Sequence, residues 1–480
     1  MSDEYDVVVI GAGPAGENIA DRAVKGGLTA AIVEAELAGG ECSYWACMPS
    51  KALLRPVAAV TGARHVQGAR GAALDPPAVL DRRDRFASHW KDDGQVKWLG
   101  SAHVELYRGH GRITGPKTVS VGPAGAGAEP GATTELRARH AVAVATGTSA
   151  VIPPVPGLAE ARPWTSREAT SAHEVPARLA VIGGGVVGCE MATAWQALGA
   201  QVTLIARGPR LLAGTEDFAG QLVADGLRQA GVDVRLGVRA TSVRRDGAGG
   251  HDGHDGRHGP VILDLDDGTT VEASEVLAAT GRAPRTDDLG LENIGLEPGS
   301  WLDVDGTLRV NGVDGGWLYA AGDVNHLALL THMGKYQARI CGDAIAARAR
   351  GREPATTAEA GQAALPQVIF TQPEVAAVGP TAAEARAAGR NIRVADYDLG
   401  SVAGSKLFAD GYAGQARMVV DEDSRTMIGA TLAGPGVGEL IHAATVAVAG
   451  KVPLDQLWHA VPSYPTMSEI WLRLLETYGL

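Results

Sequence analysis

The cysteines are the residues with the clearest chemical potential in this sequence. Four cysteines occur among 480 residues, and two of them, Cys42 and Cys47, are separated by only four others. Four are too few for a secreted domain held together by disulfides, and no CxxC motif or neighbouring histidine pair completes a zinc site. We therefore expect redox chemistry at Cys42 and Cys47 and no bound metal. The alternative interpretation is a pair of buried structural thiols.

The backbone between these two cysteines must be irregular if their sulfurs are to bridge. A helix rises about 1.5 Å per residue, so positions i and i+5 are too distant and too far rotated for Cα atoms that must approach within about 7 Å. Gly39 and Gly40 precede the pair and supply conformational freedom. A thiolate near a helix start, with Lys51 close by in sequence, would have a lowered pKa.

A dinucleotide-binding pattern precedes the cysteines. Residues 6–10 form an apolar run typical of a buried parallel strand, a glycine turn follows, and a second strand ends at Glu34. Gly11 permits the turn, Gly13 lets the backbone approach a pyrophosphate, and Gly16 allows helix and strand to pack closely. The helix N-terminus favours phosphate, and Glu34 can accept ribose hydroxyls. The alternative is a tight turn without a ligand.

The same pattern recurs about 170 residues later. The strand at 179–182 leads into Gly183, Gly185 and Gly188, and the following helix carries Glu190. Two complete patterns predict a chain that binds two dinucleotides.

The end of the next strand predicts which nicotinamide nucleotide binds. An acid there would hold a ribose 2′-hydroxyl, but the sequence has Arg207 and Arg210 instead. Two guanidinium groups could bind a 2′-phosphate that a carboxylate would repel. We predict a preference for NADPH, with NADH possible as a donor; the alternative is two solvated surface arginines.

The segment GGECSYWACMPSK, residues 39–51, resembles the redox-active segment of the class I pyridine nucleotide–disulfide oxidoreductases. Dihydrolipoamide dehydrogenase, glutathione reductase and mercuric reductase belong to this family. The resemblance continues in collinear order over essentially the whole chain, through residues 109–112, 144–147, 278–284, 318–323, 329–332 and 370–374. It implies FAD as the bound cofactor.

The resemblance also implies roles for individual residues. Cys42 would exchange with the substrate, and Cys47 would face the flavin as a charge-transfer thiolate. Lys51 would lie near flavin N5 and pair with Glu190. Together, the two patterns and the resemblance assign to the cofactors Gly11, Gly13, Pro14, Ala15, Gly16, Glu34, Gly40, Glu41, Cys42, Lys51, Gly111, Thr146, Gly147, Gly183, Gly185, Val187, Gly188, Glu190, Arg207, Arg210, Gly281, Arg282, Gly322, Asp323, Leu330, Thr331 and His332.

The implied fold is α/β, with two Rossmann-like domains for FAD and NAD(P) and an α+β C-terminal dimerisation domain. The expected domains are an FAD domain at 1–155 and 283–355, an NAD(P) domain at 156–282 and an interface domain at 356–480. The resemblance implies a homodimer in which the partner's C-terminal segment completes each active site.

The C-terminal signature departs from the family pattern. The family reads His-Pro-Thr-x-Ser-Glu, whereas this chain has Tyr464 at the histidine position and keeps Glu469. An ordinary tyrosine has a pKa near 10 and histidine near 6.5, so Tyr464 can donate a hydrogen bond but cannot readily take a thiol proton. Dithiol oxidation of the dihydrolipoamide kind is therefore disfavoured. We interpret His459 as a surface or packing residue rather than a replacement base.

The predicted function is electron transfer from NADPH through flavin to a Cys42–Cys47 disulfide and on to a disulfide-type acceptor. A second hypothesis is an NAD(P)H:quinone reductase in which electrons leave directly from the flavin and the cysteines are modulatory. A third is a redox-sensing flavoprotein with little turnover.

Composition limits the other partners. The net charge is −12 without a dense basic stripe, so we expect no nucleic-acid binding. No apolar run reaches the roughly 18 residues needed to span a bilayer. Residues 1–6 are acidic and run into a strand, unlike a signal peptide, so we expect a cytoplasmic enzyme. The histidines within 247–259 could bind a metal weakly, but a hairpin tip is the favoured interpretation.

Overall fold

The computed structural model describes residues 3–124, 133–246 and 259–480. The histidine-containing segment 247–259 therefore lies almost entirely outside the described residues. The chain divides into two compact units. The first takes in Met1–Met48, Asp84–Ser149 and Arg282–Gln362, and the second takes in Pro49–Arg83, Ala150–Gly281 and Ala363–Leu480.

Strands are distributed along the whole described chain. They are β1 (Asp3–Ile10), β2 (Ala30–Glu34), β3 (Val104–Arg108), β4 (His110–Gly115), β5 (Thr118–Gly122), β6 (Thr134–Val144), β7 (Thr148–Ala150), β8 (Arg178–Ile182), β9 (Gln201–Ala206), β10 (Asp233–Leu236), β11 (Ala240–Arg245), β12 (Val261–Leu265), β13 (Thr270–Ala273), β14 (Glu275–Ala278), β15 (Arg282–Pro284), β16 (Leu318–Ala320), β17 (Pro366–Ile369), β18 (Glu374–Val378), β19 (Ile392–Asp398), β20 (Gln415–Asp421) and β21 (Thr426–Gly434).

Helices alternate with the strands in both units. They are α1 (Pro14–Lys25), α2 (Gly40–Tyr44), α3 (Cys47–Arg64), α4 (Pro76–Phe86), α5 (Asp93–Ser101), α6 (Ser166–Ser171), α7 (Val186–Ala197), α8 (Asp217–Gln229), α9 (Thr331–Ala349), α10 (Glu359–Ala363), α11 (Ala382–Ala387), α12 (Ala403–Phe408), α13 (Ile441–Ala449), α14 (Leu454–Leu457) and α15 (Glu469–Tyr478).

The first unit is organised around one mixed sheet with the strand order β3-β2-β1-β6-β5-β4 and with β16 added to β6. Strand β1 runs parallel to both β2 and β6. Its residues Val7, Val8 and Val9 are completely buried, because both faces of a parallel sheet are covered. Helices α1 and α9 pack closely, and Arg22 of α1 pairs with Asp343 of α9 at 2.5 Å.

The second unit contains a parallel sheet, β10-β9-β8-β14, and an antiparallel sheet, β17-β18-β21-β20-β19. A small antiparallel sheet, β11-β12-β13, accompanies the parallel one. The buried side chain of Glu216 links the parallel-sheet part to the antiparallel one. It accepts a hydrogen bond from the backbone N–H of Ala382 at 2.7 Å and one from the Arg417 guanidinium at 2.8 Å.

These sheets confirm the predicted α/β fold, with two dinucleotide-type sheets followed by a C-terminal antiparallel sheet with helices. The predicted domain boundaries at residues 155, 282 and 355 stay predictions. In the ranges that the structure describes, no helix combines the length and the apolar character that crossing a membrane requires.

Close packing at the first glycine turn depends on the missing side chain of Gly16. A Cβ atom at Gly16 would meet the carbonyl oxygen of Gly11 at 1.8 Å, so no larger residue fits at the start of α1. Gly188 has the same place in the second unit, where a Cβ would meet the carbonyl oxygen of Gly183 at 2.0 Å. The same steric requirement therefore governs both turns.

We predict that Gly16→Ala lowers the free energy of unfolding by at least about 2 kcal/mol, because the turn must shift to admit the methyl group. Urea denaturation measures this effect. Gly62→Ala is the matched control, since Gly62 lies in α3 with nothing within 4 Å of a Cβ. That change should raise stability by about 0.5–1 kcal/mol through helix propensity. Equal unfolding midpoints for Gly16→Ala and the parent protein would contradict the prediction.

Candidate active site

A cavity of about 540 Å³ lies in the first unit, where the carboxyl ends of β1, β6 and β16 meet. Ligands of open parallel sheets bind at this edge. The cavity brings together most of the cofactor residues predicted for this unit. Those lining it are Gly11, Gly13, Pro14, Ala15, Glu34, Gly40, Glu41, Cys42, Gly111, Thr146, Gly147, Arg282, Gly322, Asp323 and Thr331. Of the cofactor residues predicted within the first unit, Gly16, Leu330 and His332 are not among its lining.

The cavity has the features that a dinucleotide needs. A Cβ at Gly13 would come no nearer than 3.9 Å to another residue, so the backbone at the start of α1 is open to a phosphate. The Thr146 hydroxyl is buried and has no hydrogen-bond partner among the described residues. A bound ligand would supply that partner, because buried polar groups are rarely left unpaired. The residues present therefore fit FAD.

Glu34 is held in place at the end of β2. Its Oε2 accepts a hydrogen bond from the Ala12 N–H at 2.7 Å, and its Oε1 accepts one from the Glu36 N–H at 2.8 Å. Burial raises the pKa of the carboxyl, and these two hydrogen bonds oppose that rise. A carboxylate oxygen has further lone pairs, so Glu34 can also accept ribose hydroxyls.

Asp323 belongs to a short polar chain in the cavity wall. The Thr148 hydroxyl donates to its Oδ2 at 3.1 Å, and Arg282 Nε donates to that same hydroxyl oxygen at 2.5 Å. Burial raises the pKa of Asp323, whereas the charge of Arg282 and the Thr148 hydrogen bond lower it. Sequence reasoning found Arg282 and Asp323 but missed Thr148, which joins them.

The backbone breaks between the two cysteines, as the spacing argument requires. Helix α2 ends at Tyr44, Trp45 leaves helical geometry with φ −136°, and α3 begins at Cys47. Gly39 and Gly40 both have positive φ, at 109° and 59°. This interruption lets the Cys42 thiol hydrogen-bond to Cys47.

The Cys42 thiol ionises less readily than an ordinary cysteine thiol. The hydrogen bond to Cys47 and burial raise the pKa of Cys42 far above its ordinary value, and Thr331 and Lys335 lower it only in part. The lowered thiol pKa predicted from the sequence is therefore wrong for Cys42. Cys47 begins α3, and its Sγ lies 3.2 Å from the Thr331 hydroxyl oxygen. Cys42 keeps its proton, so its attack on a substrate requires deprotonation.

Lys51 and Glu190, which the resemblance paired, are adjacent in the second unit. Lys51 Nζ donates to Glu190 Oε2 at 2.8 Å, and Glu190 Oε1 accepts from the Phe370 N–H at 3.0 Å. The ammonium also lies 5.1 Å from the centre of the Phe370 ring. Glu190 is only 3% exposed, so both of its oxygens are occupied in a buried setting. This arrangement fixes the lysine side chain. No sequence pattern indicates that Phe370 takes part in it.

The second glycine turn has space for a phosphate as well. Nothing lies within 4 Å of a Cβ placed at Gly185. The two predicted arginines are not equivalent, because Arg210 pairs with Asp217 and also donates to the Ala213 carbonyl oxygen at 3.0 Å. Arg207 is exposed just beyond β9 and has no ion pair with any described residue. Of the two arginines predicted to contact the nucleotide, Arg207 is thus the one whose guanidinium is exposed and without an ion pair among the described residues.

The structure does not bring Tyr464 and Glu469 together within one chain. Tyr464 is 76% exposed, whereas Glu469 is buried at the start of α15. Among the described residues no hydrogen bond joins them, and the charged neighbour of Glu469 is Arg473, 3.7 Å away. Tyr464 is thus available to another molecule, and its orientation does not depend on Glu469.

One further ion pair in the cavity wall was not predicted. Arg285 donates to Glu41 Oε1 at 2.7 Å and to Glu36 Oε2 at 3.4 Å. The sequence feature that could have identified Arg285 is its position directly after the Gly-Arg-Ala-Pro segment at 281–284. That segment drew attention only to Arg282.

Comparison with known proteins identifies the family. Residues 5–361 match the pyridine nucleotide-disulphide oxidoreductases, and residues 365–474 match the dimerisation domain of these proteins. The dihydrolipoyl dehydrogenase of Thermus scotoductus is 32% identical to this chain, covering 97% of it and 95% of the relative. Dihydrolipoyl dehydrogenase 3 of Pseudomonas aeruginosa is 33% identical, covering 98% and 97%.

A solved structure shows the same fold. LpdA from Mycobacterium tuberculosis aligns over 100% of both chains, with a TM-score of 0.82 and 26% identity. The dimerisation-domain match indicates a homodimer. FAD and NAD(P)H are the cofactors of the family, and a disulfide is its redox centre. The chain therefore belongs to the pyridine nucleotide–disulfide oxidoreductase family and is an FAD-dependent enzyme that carries electrons from NAD(P)H through flavin to a disulfide.

Proposed function

We propose that Cys42 and Cys47 are the redox-active pair, that NADPH is the preferred donor, and that the acceptor is a disulfide other than lipoamide. One observation carries the proposal: Cys42 lines the dinucleotide cavity, and its thiol is hydrogen-bonded to Cys47. A thiol at the wall of this cavity that interacts with a second thiol is suited to exchange two electrons with a bound ring system. A structural role for the thiols would not need this exposure to the cavity.

FAD, when bound, supplies the two-electron coupling between the nicotinamide and the sulfurs. Two electrons and one proton break the Cys42–Cys47 bond and leave Cys42 as a thiol and Cys47 as a thiolate. Thr331 stabilises and orients the Cys47 sulfur through its hydroxyl group. Gly13, Glu34, Thr146 and Asp323 would hold the cofactor.

Reduction of the acceptor then follows from thiol exchange. Cys42 loses its proton and attacks one sulfur of the acceptor disulfide, which forms a mixed disulfide and releases the first thiolate. The Cys47 thiolate attacks the Cys42 sulfur, which releases the second thiolate and restores the Cys42–Cys47 bond. Protons from water or from a nearby acid neutralise the two leaving groups.

The tyrosine at position 464 supports the reductase direction. We propose that Tyr464 of one protomer reaches the active site of its partner, where its neutral phenol donates a hydrogen bond to a leaving thiolate. Its high exposure in the single chain supports this role. A phenol is a poor acceptor of thiol protons near neutral pH, so oxidation of dithiols would be slow. The proposed substrate, a disulfide to be reduced, therefore differs from the dithiol named in the dihydrolipoyl dehydrogenases.

Lys51 and Glu190 would act at the nicotinamide side. Glu190 accepts hydrogen bonds from both the Lys51 ammonium and the Phe370 N–H, and this fixes the position of the lysine charge. A fixed charge costs no reorganisation when electrons move, which is the physical advantage of a preorganised site.

The Cys42→Ser change tests the thiol pathway against direct electron transfer to quinones. We expect NADPH-dependent reduction of an aromatic disulfide such as dithiobis(nitrobenzoate) to fall more than about 100-fold, because the Cys42 thiol that would attack it is absent. Reduction of a quinone such as menadione should be retained. Cys341→Ala, which changes a thiol buried in α9, is the control and should leave both rates unchanged.

Two outcomes of this experiment would contradict the proposal. Persistent disulfide reduction by Cys42→Ser would remove Cys42 from the pathway. A parent protein that reduces quinones but no disulfide would favour the quinone reductase. Anaerobic titration with NADPH gives an independent measurement, since two-electron reduction of the parent should produce a long-wavelength charge-transfer band.

Arg207→Gln tests the donor preference. We expect kcat/KM for NADPH to fall roughly 10- to 100-fold while kcat/KM for NADH changes little, because a charged hydrogen bond to a phosphate contributes about 1.5–3 kcal/mol. Arg210→Gln is the matched comparison and should have a smaller effect, since Arg210 already pairs with Asp217. Equal losses with both nucleotides in Arg207→Gln, or a parent enzyme that prefers NADH, would refute the assignment.

A further inference from the structure

A strained turn that the proposed mechanism does not use precedes α5 in the first unit. Ser88, His89 and Trp90 all have positive φ, at 52°, 50° and 52°. Residues other than glycine rarely adopt this left-handed conformation, because their Cβ atoms crowd the backbone. Three such residues in succession persist only where surrounding contacts hold the turn in place.

The turn directs a hydrogen bond to the redox segment. The Trp90 indole N–H donates to the Tyr44 carbonyl oxygen at 3.1 Å. Trp90 is half-buried, and Tyr44 is the last residue of α2, directly before the break that separates this helix from Cys47. The carbonyl groups in the last turn of a helix have no amide of the same helix to accept from, so they need other donors. The indole N–H, which can only donate, meets this need at the break.

The Tyr44 side chain extends this restraint to the glycines before Cys42. Tyr44 is 2% exposed, and its hydroxyl donates to the Ala38 carbonyl oxygen at 2.9 Å. A Cβ at Gly39 would lie 3.0 Å from the Tyr44 ring, so the ring is in close contact with that turn. Trp45 packs edge-on against the same ring, with the ring centres 5.8 Å apart. Tyr44 is therefore fixed through its carbonyl group, its hydroxyl group and its ring.

A carboxylate beside the strained turn holds the chain on the other side of Cys42. Asp92 lies two residues after Trp90, and its side chain is 13% exposed. Its Oδ2 accepts a hydrogen bond from the Ala38 N–H at 2.8 Å and one from the Arg108 guanidinium at 2.6 Å. The stretch that contains the strained turn therefore contacts the chain both before and after Cys42.

We propose that Trp90 is a positioning residue for the Cys42–Cys47 disulfide, and that the left-handed turn at 88–90 directs its indole. Closure of the disulfide requires the two sulfurs to approach across the break in the helix. The hydrogen bond to Tyr44 holds the chain between them and so lowers the conformational entropy that closure removes. Without this bond, the disulfide is less stable relative to the dithiol. The inference rests on the proposed role of Cys42 and Cys47 as the redox pair.

The disulfide–dithiol equilibrium of the holoenzyme tests the role of Trp90. The protein is equilibrated anaerobically with mixtures of reduced and oxidised dithiothreitol, free thiols are alkylated, and the peptide with Cys42 and Cys47 is quantified by mass spectrometry. Reduction of the pair takes two electrons and two protons from the reagent, which closes to its cyclic disulfide. Cys47 then releases its proton to solvent.

Trp90→Phe keeps an aromatic ring but removes the indole N–H. We expect the equilibrium constant for disulfide formation to fall about 5- to 10-fold, which raises the reduction potential of the pair by about 20–30 mV. Loss of one hydrogen bond has an effect of this size. Trp98→Phe is the matched control and should leave the equilibrium unchanged, because Trp98 of α5 is 38% exposed. A Trp90→Phe potential equal to that of the parent would overturn the inference, whatever the change in Tm.

Two changes at His89 test the turn while the indole is kept. The His89 side chain is exposed, so both changes act through the backbone. His89→Gly is compatible with the positive φ and should keep the parent equilibrium. His89→Pro fixes φ near −65° in place of the observed 50°, so the turn must change and the Trp90 indole must move. His89→Pro should therefore shift the equilibrium as Trp90→Phe does. Identical potentials in His89→Pro and His89→Gly would overturn the role of the turn.

These readouts are separate from the test of the proposed function. Thiol trapping reports the equilibrium of the pair whether or not an acceptor disulfide turns over. A parent protein that forms no Cys42–Cys47 disulfide at any dithiothreitol ratio would overturn the proposed function and this inference with it. A parent that forms the disulfide, together with an unshifted Trp90→Phe potential, would overturn this inference alone.

Discussion

The interruption of the helix between Tyr44 and Cys47 is the constraint on which the redox chemistry depends. A continuous helix would place the two sulfurs on different faces and beyond bonding distance. The break instead lets Cys42 interact with Cys47 and places Cys47 at the first position of α3, beside the Thr331 hydroxyl. The positive φ angles of Gly39 and Gly40 turn the chain into this short segment. The same local irregularity therefore contributes to the cavity wall and permits the disulfide proposed for Cys42 and Cys47.

Burial determines how each polar group in the site behaves. Glu190 is buried with both oxygens occupied, so it can hold Lys51 at little cost in flexibility. The Thr146 hydroxyl is buried and has no hydrogen-bond partner among the described residues, as expected of a group that hydrogen-bonds to a ligand. The neighbouring Cys47 and burial raise the pKa of Cys42. The second unit thus holds a buried carboxylate whose partners are already in the protein, whereas the first unit holds a buried hydroxyl that has none among the described residues.

The glycine turns and the strands that flank them could be predicted from the sequence, because their requirements are local. Gly16 and Gly188 must lack a side chain whatever the rest of the fold does, and the apolar strands before them read as buried on both faces. The spacing of Cys42 and Cys47 likewise dictated a break in the helix without any knowledge of its surroundings.

Contacts between distant parts of the chain could not be predicted in this way. Arg207 and Arg210 look alike in the sequence, and only the ion pair with Asp217 distinguishes them. The link from Arg282 through Thr148 to Asp323 joins residues over 130 positions apart, and no local pattern marks the threonine. The raised pKa of Cys42 follows first from Cys47, within the same motif, and then from burial, and it is the burial that the motif alone could not predict.

The double acceptor role of Glu216 has a consequence for dissecting this protein into pieces. Both of its donors, Ala382 and Arg417, come from the C-terminal part of the chain. Gly226 of α8 is also covered there, since a Cβ at that glycine would meet the Gln372 carbonyl oxygen at 2.2 Å. A shortened protein that stops near residue 362 would lack both hydrogen-bond donors of the Glu216 carboxylate. It would also expose the face of α8 at Gly226. Within the second unit, the parallel sheet and the C-terminal antiparallel sheet therefore depend on each other for burial and hydrogen bonding.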